Sequence, residues 1–161
     1  MWKLPDELKR QTRWMVVGDG PAIPHFKENA PRNVTFTGYK EGEELAELYA
    51  TSDLFIFPSA TETFGNVALE SLASGTPVVA ANAGGLADVV SEERNGLFCS
   101  PNKEEEYISA IRRLLSDHTE RRMMGYEGRR YALSQSWDAI FGRLLEDYEK
   151  TIGVKKIAQY A

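Results

Sequence analysis

Cysteine is almost absent. Cys99 stands alone, so the chain can neither close an internal disulfide nor supply the thiolates of a structural zinc site. That pattern suits a reducing compartment and leads to the expectation of a cytoplasmic protein. A surplus of basic charge is also missing: 19 Lys and Arg stand against 24 Asp and Glu, for a net charge of −5 and a pI near 5.2. A protein that grips nucleic acid by its overall field is thereby excluded, and any anion must meet a local site. Long apolar runs are lacking as well. Segments such as Leu54-Phe55-Ile56-Phe57 fall far short of the roughly 20 residues that a membrane-spanning helix needs, and the first residues lack the apolar stretch of a secretory signal. The two histidines, His25 and His118, are far apart and have no carboxylate or cysteine neighbours at ligand spacing. Surface or packing roles are expected for both, with no part in catalysis or metal binding.

What remains is enough for one folded domain. Of the 161 residues, 42% are apolar and 27% charged, the composition of a soluble globular chain with a sizeable core. Trp14-Met15-Val16-Val17 ends in Gly18-Asp19-Gly20-Pro21 and reads as a buried strand running into a tight turn. Helix is expected over 23–30, strand over 33–37, helix over 43–50, and a nearly continuous apolar strand, buried on both faces, over 53–57. A helix over 64–74 stops at Gly75, where a left-handed residue is suited to end it. Strand 76–81, a short helix 86–91 and strand 96–99 follow, and then helices over roughly 104–115, 119–133 and 137–150.

Strands alternating with helices, followed by a helical tail, imply an α/β fold: a Rossmann-like open parallel sheet with helices on both faces. Ligands of such sheets bind outside the carboxyl ends of the strands. The loops concerned are Gly18-Asp19-Gly20, Gly38-Tyr39-Lys40, 59–64 and 82–85. Gly18-Asp19-Gly20 is not a dinucleotide fingerprint, because the third glycine is missing and Pro21 interrupts, so a turn bordering the cleft is expected there.

The most informative stretch runs from Pro58 to Pro77. Glu62 falls in the loop after a strand and Glu70 about two helical turns on, with seven residues between them. One carboxylate is thus expected at the mouth of the helix and the other along its side. Gly65 lacks side-chain bulk, so a ligand can approach the first-turn amides of Gly65, Asn66 and Val67, where the helix dipole favours a phosphate. Glu70 suits the two hydroxyls of a ribose and Glu62 the hydroxyls of a second sugar. Against this stands the plainer possibility of a solvated helix carboxylate and an N-terminal dipole partner worth tenths of a kcal/mol; the strand-loop-helix setting with Gly65 favours a ligand.

The segment from Pro58 through Val90 closely resembles the carboxyl-terminal domain of family 4 glycosyltransferases, which have the GT-B fold. The likeness rests on Glu62 and Glu70 at their spacing, Phe64-Gly65 between them, and the Gly75-Thr76-Pro77-Val78-Val79 and Gly84-Gly85 segments. Weaker similarity covers 16–21, 34–38 and 44–59. The resemblance implies transfer of a sugar from a nucleoside-diphosphate donor to an acceptor, with retention and without a metal or other cofactor. Glu70 would hold the ribose, Glu62 the donor sugar, the Phe64, Gly65, Asn66 and Val67 backbone the distal phosphate and sugar, and the backbone at Gly38, Tyr39 and Lys40 the base. In the family's front-face route the leaving phosphate helps deprotonate the acceptor, so no side-chain base is required. Glu62 as a nucleophile is disfavoured, since a nucleophile must reach the anomeric carbon.

Two departures from the family matter. Its domain normally opens with a strand and helix whose Arg and Lys neutralise the diphosphate, and its acceptor-binding amino-terminal domain completes the cleft; neither is present here. Residues 1–135 are therefore expected to form an amino-terminally truncated donor-binding domain, inactive alone, with 136–161 a helix that packs back toward the missing domain. A smaller departure is Leu86-Ala87-Asp88, where the family has a proline and then a glutamate. The apolar stripe Trp137, Ile140, Phe141, Leu144, Leu145 and Tyr148 either packs on this domain or meets the missing one. The arginine pairs at 112–113, 121–122 and 129–130 either meet anionic lipid or, mixed with glutamates, face solvent. Peripheral membrane contact of the full enzyme stays open, as does the alternative of a non-catalytic nucleotide-binding or interaction module. An epimerase of the same architecture would need an acid and base pair that the sequence does not offer.

Overall fold

The computed structural model describes residues 5–159, with side chains to Gly153. After a short helix α1 (Asp6–Gln11), strand β1 (Trp14–Val17), helix α2 (Ile23–Glu28) and strand β2 (Val34–Gly38) form a first unit. β1 and β2 run parallel, with Trp14 opposite Val34 and Val17 opposite Gly38. Helix α3 (Gly42–Ala50), strand β3 (Phe55–Phe57), helix α4 (Asn66–Ala73), strand β4 (Val78–Ala81) and strand β5 (Gly96–Cys99) make the second. Its three strands are parallel, in the order β3-β4-β5. The expected α/β arrangement of parallel strands and helices is therefore present, as two ladders among the described residues and not one continuous sheet.

Strand β4 carries the core. Its residues are fully buried, and because side chains alternate across a strand, Val78 and Ala80 face Ala68, Leu72, Leu86, Val89 and Val90 while Val79 faces Leu97, Cys99, Ala110, Leu114 and Met124. Each fully buried leucine, Leu72, Leu86 and Leu114, contributes roughly 1.5–3 kcal/mol of transfer free energy. β3, expected to be buried on both faces, is half-buried at all three positions. The covering differs along the ladder: β5, the other edge, is buried by α5 through Leu97 and Cys99, whereas β3 lacks such a cover among the described residues.

Helix α4 is held from below by helix α6 (His118–Leu133), which follows α5 (Glu104–Ser116). A methyl added at Gly128 would come within 2.6 Å of the Leu72 side chain, and one at Gly125 within 2.1 Å of the Gly75 carbonyl. The glycines thus let the two helices approach backbone to side chain. Gly75 ends α4 at a φ of 81°, as expected of a left-handed stop, and Arg129 donates to the Ala73 carbonyl at 2.6 Å.

One set of bounds is corrected. The short helix expected over 86–91 is a 3-10 helix over Gly84–Asp88, starting two residues earlier and ending three sooner. Buried Asn95 explains the early stop: its side chain accepts from the Ser91 amide at 2.7 Å and donates to the Val89 carbonyl at 3.2 Å, diverting groups that a longer helix would use. In helix α7 (Trp137–Gln159) the stripe, for which the sequence leaves two places open, is largely exposed on this domain: Trp137 is 72% exposed and Leu145 61%, with Phe141, Leu144 and Tyr148 exposed beside them and Ile140 half-buried.

Candidate functional site

Because the strands within each ladder are parallel, the loops that follow them gather at its carboxyl end. The structure ties the four anticipated loops together in two pairs. In the first pair, the Gly18 amide donates to the Gly38 carbonyl at 2.8 Å, and the Tyr39 amide donates to the Asp19 carboxylate at 3.1 Å. Gly18-Asp19-Gly20 is thus the support of the Gly38-Tyr39 turn, where Gly38 has a φ of 73°. The side chains of that turn bend onto their own neighbours. The Tyr39 hydroxyl donates to Glu41 at 2.9 Å and the Lys40 ammonium to Glu44 at 2.9 Å. Bonding to Glu41, with the nearby charge, holds the exposed Tyr39 hydroxyl above its ordinary pKa.

In the second pair, the Glu62 loop lies on the Gly84-Gly85 turn. The Gly85 amide donates to the Glu62 carbonyl at 2.9 Å. A methyl group at Gly84 would sit 2.3 Å from the Glu62 carbonyl oxygen and one at Gly85 1.9 Å from that of Thr63, so only glycine fits beneath the loop. Above this floor, half-buried Glu62 turns its carboxylate onto the loop, accepting from the Gly65 amide at 3.1 Å and the Phe64 amide at 3.5 Å. Gly65, buried and at a φ of 94°, leads into α4. A side chain there would be strained and would meet Leu86 at 3.0 Å.

The Gly65 amide, expected to be free for a phosphate, is therefore engaged by Glu62. The amides of Asn66 and Val67 occupy the first turn of α4, where no intrahelical acceptor exists. The Phe64 side chain stands 49% exposed beside them. Further along the helix, exposed Glu70 accepts a hydrogen bond from the Tyr49 hydroxyl at 3.4 Å. Tyr49, on α3, is a neighbour of Glu70 that the sequence reading did not single out, because at helical spacing with Leu45 and Leu48 it passes for a packing residue. Burial first, and then the Glu70 charge, pushes its hydroxyl pKa upward.

The arrangement offers two carboxylates as acceptors for hydroxyl groups and a helix terminus whose amides can receive an anion. Among the described residues no group of three or more His, Cys, Asp or Glu is placed to hold a metal ion. The profile of the family described as "Glycosyl transferases group 1" matches residues 1–131, which span this site completely. The chain belongs to that family.

Similarity to group 1 members extends over most of the chain. It is 37% identical over 147 residues, 86% of this chain, to the sulfoquinovosyl transferase SQD2 of Arabidopsis thaliana. It is also 37% identical over 142 residues, 88% of this chain, to a GDP-mannose-dependent alpha-mannosyltransferase of Mycobacterium tuberculosis. These matches span 27% and 36% of the relatives' own lengths. Among solved structures, Anabaena Alr3699/HepE in complex with UDP superimposes with a TM-score of 0.73 at 26% identity, covering 90% of this chain and 43% of that one. Sucrose-phosphate synthase from Thermosynechococcus elongatus gives a TM-score of 0.74 at 32% identity, over 87% and 38%. The fold is that of part of a GT-B glycosyltransferase, as the resemblance implied. No described helix is long and apolar enough to cross a membrane.

Proposed function

We propose that this chain is the donor-binding half of a retaining, family 4-type glycosyltransferase that uses a nucleoside-diphosphate sugar. The observation that carries the reading is the Glu62 loop seated at the mouth of α4 with Glu70 along the same helix, in a chain of the group 1 family. A UDP complex of a structural neighbour supports the nucleotide class. Glu70 receives the ribose hydroxyls and Glu62 those of the transferred sugar. The Asn66 and Val67 amides meet the distal phosphate beside the Phe64 side chain, and the Gly38–Lys40 backbone meets the base.

Chemistry follows from what each group can do. Charged acceptors fix the donor's hydroxyls, so the anomeric carbon is presented in one orientation. Negative charge that develops on the departing diphosphate is met by helix-terminal amides that need no reorganisation. The leaving phosphate takes the acceptor proton, so neither a side-chain base nor a metal is assigned. Cations for the diphosphate and the acceptor site are assigned to other parts of the full enzyme: a strand-helix unit and an amino-terminal domain that covers the α7 stripe. The full enzyme works in the cytoplasm or at its membrane surface.

The test is release of nucleoside diphosphate from UDP-, GDP- and ADP-sugars by the intact protein. Turnover of one donor, with kcat lowered in Glu62→Ala, supports the reading. Binding without turnover of any donor would replace it with a non-catalytic nucleotide-binding module.

A further inference from the structure

Tyr49 lies outside the Pro58–Pro77 stretch, in the 44–59 segment of weaker family similarity, and its hydroxyl donates to the Glu70 carboxylate at 3.4 Å. Two contacts hold it from the core side. Its ring stands edge-on to Phe55, with centroids 5.3 Å apart and planes at 87°, and Phe55 in turn stacks on Phe57 at 5.7 Å. Its carbonyl accepts from the hydroxyl of buried Thr76 at 2.7 Å. Thr76 is itself bound to α4, since its carbonyl accepts from the Ser71 hydroxyl at 2.9 Å. The tyrosine hydroxyl is thus placed by the core, not by solvent, and it ends on an otherwise exposed carboxylate.

We infer that Tyr49 is a positioning residue that holds the Glu70 carboxylate in the orientation required for ribose recognition. The inference rests on the assignment of Glu70 to the ribose. A carboxylate has about four lone-pair sites; Tyr49 uses one on Oε2, and the rest suffice for two ribose hydroxyls. A free glutamate on a helix surface samples several rotamers, and ordering it on binding costs affinity. Tethering one oxygen removes part of that cost. The burial that pushes the Tyr49 hydroxyl pKa upward keeps this group a donor throughout the working pH range.

Tyr49→Phe deletes the hydroxyl and keeps the ring that packs on Phe55. The test is a titration of the intact protein and of Tyr49→Phe with UDP and GDP and with their 2′,3′-dideoxy counterparts, followed by NMR at up to millimolar nucleotide. The expected result is a loss of ribonucleotide affinity of roughly three- to tenfold, the size of one hydrogen bond. Dideoxynucleotide affinity stays unchanged, and the substitution has no further effect in a Glu70→Ala background. A merely structural role would weaken both nucleotide classes alike, and that outcome overturns the inference. Equal discrimination between ribo- and dideoxynucleotides in the two proteins overturns it too, while leaving Glu70 on the ribose. If the unaltered protein binds neither nucleotide, or ignores the missing hydroxyls, the ribose assignment and this inference fall together.

Discussion

The Gly85 amide and the Glu62 carbonyl, 23 residues apart in sequence, are joined by a 2.9 Å hydrogen bond. It binds the loop that follows β3 to the turn that follows β4, and it does so where no side chain fits between them. Through this contact the Gly-Gly pair, which touches no part of the expected ligand, sets the height of the Glu62 carboxylate.

Gly85→Ala places a methyl 1.9 Å from the Thr63 carbonyl oxygen, a backbone atom that can move only with its loop. Overpacking of this kind costs about 1–3 kcal/mol. The variant is expected to fold, with a lower Tm in a thermal melt, and to lose donor affinity beyond what the lower stability explains. Gly20→Ala is the control, because its added methyl meets nothing within 4 Å.

Strand β5 lies at an edge, and two carboxylates occupy amides there: Glu92 accepts from Phe98 at 2.6 Å and Glu106 from Ser100 at 2.5 Å. Such covering protects an edge from pairing with another chain. The Ser100 amide holds the Glu106 carboxyl below its ordinary pKa. A lowered folded pKa means stability that is present above the unfolded value, near 4.3, and lost as pH falls through the folded one. Between about pH 5 and 3, Glu106→Ala should flatten the fall of Tm with pH seen in the unaltered protein. Identical slopes in the two proteins would count against this contact.

The helix α7 stripe is exposed on this domain, so its residues cannot contribute much to the domain's own stability. Phe141→Lys is expected to change unfolding free energy by less than about 0.5 kcal/mol, measured by urea denaturation. It should also reduce self-association, because a large exposed apolar patch is sticky. A loss of about 3 kcal/mol, the size of an emptied core position, would mean that α7 packs against this domain.

Regular elements were legible wherever local pattern and burial agreed. The strand at Gly96–Cys99 and the left-handed stop at Gly75 are found as read. Pattern alone misjudged β3, because an apolar run does not say which elements cover its strand. It also misjudged the bounds of 86–91, where a side chain just beyond the segment, Asn95, decides the helix length. Glu62 and Glu70 could be chosen from their spacing around Gly65. That Glu62 spends its carboxylate on the Gly65 amide three residues on is a matter of loop conformation, and that Tyr49 reaches Glu70 is a tertiary fact; neither has a periodic signature.

The central claim is that Glu70 and the mouth of α4 bind a nucleoside diphosphate. Calorimetric titration with UDP, GDP and ADP, comparing the unaltered protein with Glu70→Ala, tests it most directly. The account expects one nucleotide to bind, and the substitution to weaken it roughly ten- to a hundredfold, as befits a lost charged hydrogen bond. Equal affinity in the two proteins, or no preference among the three nucleotides, would contradict it.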